Sequence, residues 1–150
     1  MLEPLKQTML APALTHRDES ALSERTTYRL LVPCLQRGDG TGPTIDLGRD
    51  RSNLLVISMG INHVIENERL TLSIWGSTDG NDWGDKPLAS FPPKSYCGVY
   101  STFLNLAATP QVRYLRATWK MARSRRGDQS PVFGFYVTAN ESVPRRLAAF

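Results

Sequence analysis

Residues 112–121 read VRYLRATWKM, and residues 70–76 read LTLSIWG. In the first, Leu115, Ala117, Trp119 and Met121 share one face of an extended chain; Tyr114, Arg116, Thr118 and Lys120 share the other. In the second, Leu70, Leu72 and Ile74 alternate with Thr71, Ser73 and Trp75. Successive side chains of a strand point to opposite faces, so a period of two predicts strands with one buried face. The same alternation recurs on both sides of these segments. Leu55, Ile57, Met59 and Ile61 share a face within 54–61, and Tyr100, Thr102, Leu104 and Leu106 form another. Tyr28 to Leu35 is β-prone, with Pro33 marking an edge position. Thr44–Leu47 and Leu88–Phe91 are short extended pieces, and Val132–Thr138 reads as the last strand.

Residues 36–43, QRGDGTGP, form a turn-rich loop, and 123–130 a polar connection. After residue 27 no segment has helical periodicity. About eight strands at spacings of roughly 8–12 residues predict an all-β fold, a single antiparallel β-sandwich of jelly-roll type. The expected organisation is an irregular N-terminal leader or docking arm over 1–26, a sandwich domain over 27–141 and a C-terminal tail over 142–150. Leu5, Met9, Leu10, Leu14 and Leu22 are scattered through the leader among polar groups and prolines.

A chain of 150 residues points to one domain, with enough mass for a core without disulfides or metal. A hydrophobic fraction of 41% with 21% charged residues is globular rather than disordered. The net charge of +4 is uneven. From Pro110 to Phe150 there are eight Lys or Arg against two acids, a local +6, so the first 109 residues sum to −2. Such asymmetry marks either a solvated basic edge or a surface for an acidic partner. Cys34 and Cys97 are too few for a disulfide scaffold and lack metal-site spacing, so two free, partly buried thiols are expected. The first 20 residues have neither a basic n-region nor a continuous apolar run, and no stretch reaches the roughly 18 apolar residues of a spanning helix. The expectation is a cytoplasmic protein without a transmembrane segment. The acceptor-like triplet Asn140-Glu141-Ser142 is then a chance match.

The sharpest motif follows the strand at 70–76: Ser77-Thr78-Asp79-Gly80-Asn81-Asp82-Trp83. Asp-Gly supplies the positive φ of a tight connection, and Trp83 can fold back over the sandwich rim. This S-x-D-G-x-x-W hairpin, with Val112-Arg113-Tyr114-Leu115-Arg116-Ala117 as a later strand, resembles discoidin-like, galactose-binding-type β-sandwiches. The pattern covers roughly residues 54–138. The chain is also similar to small bacterial proteins with W-G-S-x-D-G-x-D-W-G followed by a Y-L-R strand. The resemblance implies the sandwich fold and, as an alternative function, carbohydrate binding. The discoidin-type D-G-x-x-x-T-x-W segment and terminal cysteines have no counterpart here, so the family's ligand loops cannot be carried over. Asp79, Asp82 and Asp85, with Trp83, form a candidate ligand loop. Three carboxylates could attract Ca²⁺, which takes about six to eight oxygens. The spacing is not that of an EF-hand, and Asp79 is the expected turn residue, so no metal or cofactor is assigned.

Catalytic constellations are thin. His16 and His63 are the only histidines, and no G-x-S-x-G, H-E-x-x-H or P-loop sequence occurs. Glu66 and Glu68 fall in a polar turn. His63 is expected to be a packed or edge residue, and a hydrolase-type enzyme is the least favoured reading. Lys120, Arg123, Arg125 and Arg126 form a basic run expected to project into solvent, with Trp119 and Tyr136 near it as candidate stacking faces for single-stranded nucleic acid. Nucleic-acid binding is disfavoured because the charge is modest and no recognition motif is present. Phe91, Tyr96 and Tyr100 lie in a proline- and aromatic-rich loop, a candidate protein-docking patch. The function expected is a non-enzymatic protein-interaction module, an accessory or structural subunit of a larger bacterial assembly, with homo-oligomerisation open. Its contact groups would be Phe91, Tyr96, Tyr100, Arg123, Arg125 and Arg126, with Arg145 and Arg146 in the tail.

Overall fold

Segments that are apolar on one face only must bury that face against a second layer, and two such sheets stacked together form a sandwich. The computed structural model, which describes residues 26–65, 68–123 and 131–142, has this architecture. Its strands are β1 (Thr27–Arg37), β2 (Gly40–Thr41), β3 (Ile45–Asp46), β4 (Leu54–Val64), β5 (Glu68–Ser77), β6 (Ala89–Ser90), β7 (Gly98–Asn105), β8 (Tyr114–Arg123) and β9 (Val132–Glu141). No helix occurs among the described residues, so none there is long and apolar enough to cross a membrane. The leader up to residue 25, the tail from 143, Glu66, and Arg125, Arg126, Arg145 and Arg146 lie outside the described residues.

One sheet, here sheet A, runs β1-β9-β4-β7; the other, sheet B, runs β2-β8-β5-β6, with β3 also paired to β8. All pairs are antiparallel. The apolar faces read from the alternation at 54–61, 70–76 and 112–121 are turned inward. Leu55, Ile57, Met59 and Ile61 of β4 and Phe133, Phe135, Val137 and Ala139 of β9 meet Leu70, Leu72 and Ile74 of β5 and Leu115, Ala117 and Trp119 of β8. Trp119 and Phe135 join the layers edge to face, centroids 5.4 Å apart and planes at 80°. That geometry suits the ring quadrupoles and adds about 0.5–1.5 kcal/mol to the burial itself.

Three details differ from the sequence reading. The loop at 36–43 contains β2, held by pairing of Gly40 and Thr41 with Trp119 and Thr118. Glu68 is not in a polar turn. It is fully buried at the start of β5, where Oε2 accepts from Arg123 Nη2 and Oε1 accepts the Val132 N–H at 3.1 Å. One carboxylate thus links β5 and β8 of sheet B to β9 of sheet A. Cys97 is exposed and Cys34 half-buried; both are free. They flank opposite edges of sheet A, three strand spacings or about 14 Å apart, beyond disulfide reach.

Arg51, which no motif announced, staples the segment before β8. Its guanidinium donates to the carbonyls of Val112 (2.8 Å), Thr109 (3.3 Å) and Pro110 (3.1 Å). Fixing this loop sets where β8 enters its sheet.

Removing one partner of a buried ion pair strands the other charge, which costs about 3–5 kcal/mol, whereas an apolar replacement of both is often neutral. Arg123→Ala should therefore lower the unfolding free energy by about that amount in urea denaturation. The double variant Glu68→Met with Arg123→Met should recover most of the loss.

Candidate functional site

The Ser77–Trp83 motif folds as a self-contained turn. Ser77 Oγ accepts the N–H groups of Asp79 (3.2 Å) and Gly80 (2.8 Å) and donates to Asp79 Oδ1 (3.0 Å). Asp79 Oδ1 in turn accepts from the N–H of Asn81 (2.8 Å) and Asp82 (3.0 Å). Gly80 has φ of +83°, which a side chain would strain. Asp82 accepts the Gly84 N–H at 3.0 Å. The N–H groups of Asp82 and Asn81, then the Ser77 hydroxyl, hold the Asp79 carboxyl below its ordinary range. These oxygens serve the loop's own backbone. Among the described residues no three His, Cys, Asp or Glu side chains converge as metal ligands.

Trp83 is half-buried, and the Arg116 guanidinium lies 4.3 Å from its ring centroid. Arg116 pairs across the strands with Trp75, whose Nε1 donates to Thr118 Oγ1 at 2.9 Å. Arg113 makes a forked pair with Asp46 at 2.8 and 2.9 Å and approaches the Tyr114 ring. The outer face of sheet B is therefore polar and basic, its aromatic rings braced by arginines. A depression of about 410 Å³ beside β2 is lined by Asp39, Gly40, Thr41, Thr118, Trp119 and Lys120. It holds one carboxylate, which accepts the Met121 N–H, and no histidine. His63 is exposed on β4 opposite Gly134.

The outer face of sheet A has the opposite character. Val99 and Phe103 of β7 are 65% and 67% exposed, and Leu35 of β1 is 66% exposed. Between these edges lie half-buried Val56 and Tyr136. The Tyr136 ring covers Gly60, where a Cβ would come within 2.2 Å of it. Ser58 and Ser101 share a hydrogen bond at 2.9 Å on this face. Tyr96, 77% exposed, stands just before β7, and its carbonyl accepts the Tyr100 hydroxyl at 2.7 Å. Lys94 sits 4.7 Å from the Tyr100 ring centroid.

The structure thus places Tyr96 at the surface, just before the strand whose exposed apolar groups no motif had singled out, whereas Tyr100 is half-buried and packs against the core from the inner side of β7. Phe91 is a correction: it is 3% exposed, its N–H bonded to the Leu72 carbonyl, and it belongs to the core. It immediately follows β6, which extends sheet B, and its ring is needed to close that end of the core. Arg123 is a second correction. Its guanidinium is turned onto buried Glu68 rather than out into solvent. Trp119 is buried and cannot be a stacking platform for bases, whereas Tyr136 is half-buried. Val99 and Phe103 were legible as the polar side of a period-two strand carrying apolar residues, a pattern without an inward explanation.

The fold defines this chain as an all-β sandwich protein. No protein-family model matches it, and no curated protein aligns with it significantly.

The Arg113 fork, then the Gly48 N–H, lower the Asp46 carboxyl from 3.8 to about 2. A depressed carboxyl stabilises the fold above its unfolded value, and that contribution is lost as pH falls through the folded value. An NMR titration should place the Asp46 midpoint near 2, and Arg113→Ala should raise it toward 3.8. Acid destabilisation between those two pH values should shrink in the variant.

Proposed function

We propose that this protein is a non-enzymatic interaction module that docks other protein surface through sheet A, as a subunit of a larger assembly. The observation that carries the reading is the contrast between the two outer faces. Sheet B turns out polar and basic groups; sheet A turns out Val99, Phe103 and Leu35, with Tyr96 beside them. Single exposed apolar residues are ordinary, but a group on one face, next to half-buried aromatic and β-branched residues, is what docking surfaces use. Tyr and Phe anchors bring large contact area at small cost in side-chain entropy.

Carbohydrate recognition is the weaker reading. It calls for an aromatic platform open to a sugar ring, and Arg116 occupies one face of Trp83. Catalysis has less support still, because the one carboxylate in the 410 Å³ depression, Asp39, is engaged by the Met121 N–H, and no histidine lines it.

The test compares the wild-type chain with a Val99→Lys, Phe103→Lys variant. Both side chains are exposed, so the variant should fold with an unchanged thermal midpoint. Wild type should associate stoichiometrically, with itself or another protein, in light scattering and native mass measurement, and the variant should not. Binding to a glycan array by both forms, with no association by either, would overturn the reading.

A further inference from the structure

The proposed docking role leaves open what docks, and the β7 edge carries information on that point. Sheet edges expose unpaired main-chain groups, and folded proteins blunt them with short strands, prolines, charges and bulges. Three of the four edges here are blunted in these ways. On sheet B, β2, β3 and β6 have two residues each. On sheet A, β1 carries Pro33, Arg29 and Arg37, and its register slips twice, between Arg29 and Leu31 and between Leu31 and Cys34. The remaining edge is β7. Its eight residues, GVYSTFLN, contain no charge and no proline, and they pair with β4 in unbroken register. Among the described residues no strand lies on its other side.

The phase of that edge can be read from the ladder. Leu106 N–H donates to the Asn53 carbonyl at 2.6 Å, in step with the Leu54–Asn105 pairing. Main-chain groups of an antiparallel strand alternate in direction. Those of Leu104, Thr102, Tyr100 and Gly98 therefore face β4. Those of Val99, Ser101, Phe103 and Asn105 face away from it, and their side chains are the ones exposed on the outer face of sheet A.

We propose that the β7 edge pairs antiparallel with β7 of a second copy of this chain, about a two-fold axis at Ser101. In this register Ser101 opposes Ser101 of the partner subunit, and Val99 opposes the partner's Phe103. Each of the three opposed pairs exchanges two N–H···O=C bonds, so every outward group from Val99 to Phe103 is satisfied. An aromatic side chain meets a β-branched one on the outer face, a favourable cross-strand pair. Shifting one copy by one residue would set outward groups against inward ones and turn each side-chain row over. Shifting by two places Val99 against Asn105 and Phe103 against Ser101, and loses the apolar match. The strand carries no charge, so a copy meets itself without repulsion. The two sheets A join into one continuous sheet, and the interface is isologous, as a closed dimer requires.

The test uses cysteine placement in a chain with Cys34 and Cys97 replaced by Ser. Opposed residues of a hydrogen-bonded pair have Cα atoms about 5.5 Å apart, within disulfide reach. Ser101→Cys should give a covalent dimer under mild oxidation. Ser58→Cys, one strand further in on the same face, would sit about 15 Å from its copy and should stay monomeric. Ser101→Pro removes the outward N–H while sparing the β4 ladder, so it should keep the thermal midpoint and lose the dimer in light scattering. The wild-type chain should have twice the 16.8 kDa monomer mass. Cross-linking through Ser58→Cys and not Ser101→Cys would mean face-to-face stacking and would overturn the edge pairing. A wild-type monomer that forms no Ser101→Cys cross-link would also overturn it. If that monomer still binds another protein in a manner lost with Val99→Lys and Phe103→Lys, the docking role survives and self-pairing alone fails.

Discussion

β9 is hydrogen-bonded on both sides within sheet A, to β1 and to β4, and its inner face carries Phe133, Phe135, Val137 and Ala139 into the core. A strand in that position cannot slip, because a one-residue shift would turn four core residues out to solvent. Its ends are held as well. At one end the buried Glu68 carboxylate takes the Val132 N–H together with the Arg123 guanidinium. At the other, the buried Glu141 carboxylate accepts the N–H groups of Thr26 and Ser52 at 3.3 Å each. With β9 set, β4 and β1 are positioned by pairing, and the Trp119–Phe135 contact carries the register across to sheet B.

The two outer faces then diverge for a physical reason. Both are built from the solvent side of period-two strands, but the residues there differ. On β5 and β8 these positions hold Thr71, Ser73, Trp75, Arg116, Thr118 and Lys120, polar groups or rings braced by hydrogen bonds and guanidinium contacts. On β7 they hold Val99, Ser101, Phe103 and Asn105. With about two thirds of their surface exposed, Val99 and Phe103 forgo most of the transfer free energy that core positions gain, about 25 cal/mol per Å² of apolar surface. That cost is the physical ground for reading sheet A as the docking side, and the unguarded β7 edge sharpens it.

Much of the fold was legible because strand periodicity is local. The alternation at 54–61, 70–76 and 112–121 needed only the residues themselves, and the turn role of Asp79 and Gly80 followed from their own chemistry. The misread positions share a different cause. Phe91 beside two prolines has no local signature of burial; it is core because β6 pairs with β5 and carries it inward. Arg123 belongs to a basic run in sequence, but its direction was decided by Glu68, which lies 55 residues earlier. Arg51 had no neighbour that foretold its three carbonyl acceptors near residues 109–112. Cys97 is accessible because it precedes an edge strand, and edge status is a property of the sheet order.

By itself the sequence determined the all-β class, the buried faces of β4, β5 and β8 and the Asp79-Gly80 turn within 77–83. Each of these depends on side-chain alternation or on bonds between residues a few positions apart. Only the tertiary structure decided which strands are edges, which charges are tied internally and which apolar residues remain uncovered. Those depend on strand order across two sheets, where partners more than fifty residues apart meet and the hydrophobic pattern of any one segment is silent about its neighbours.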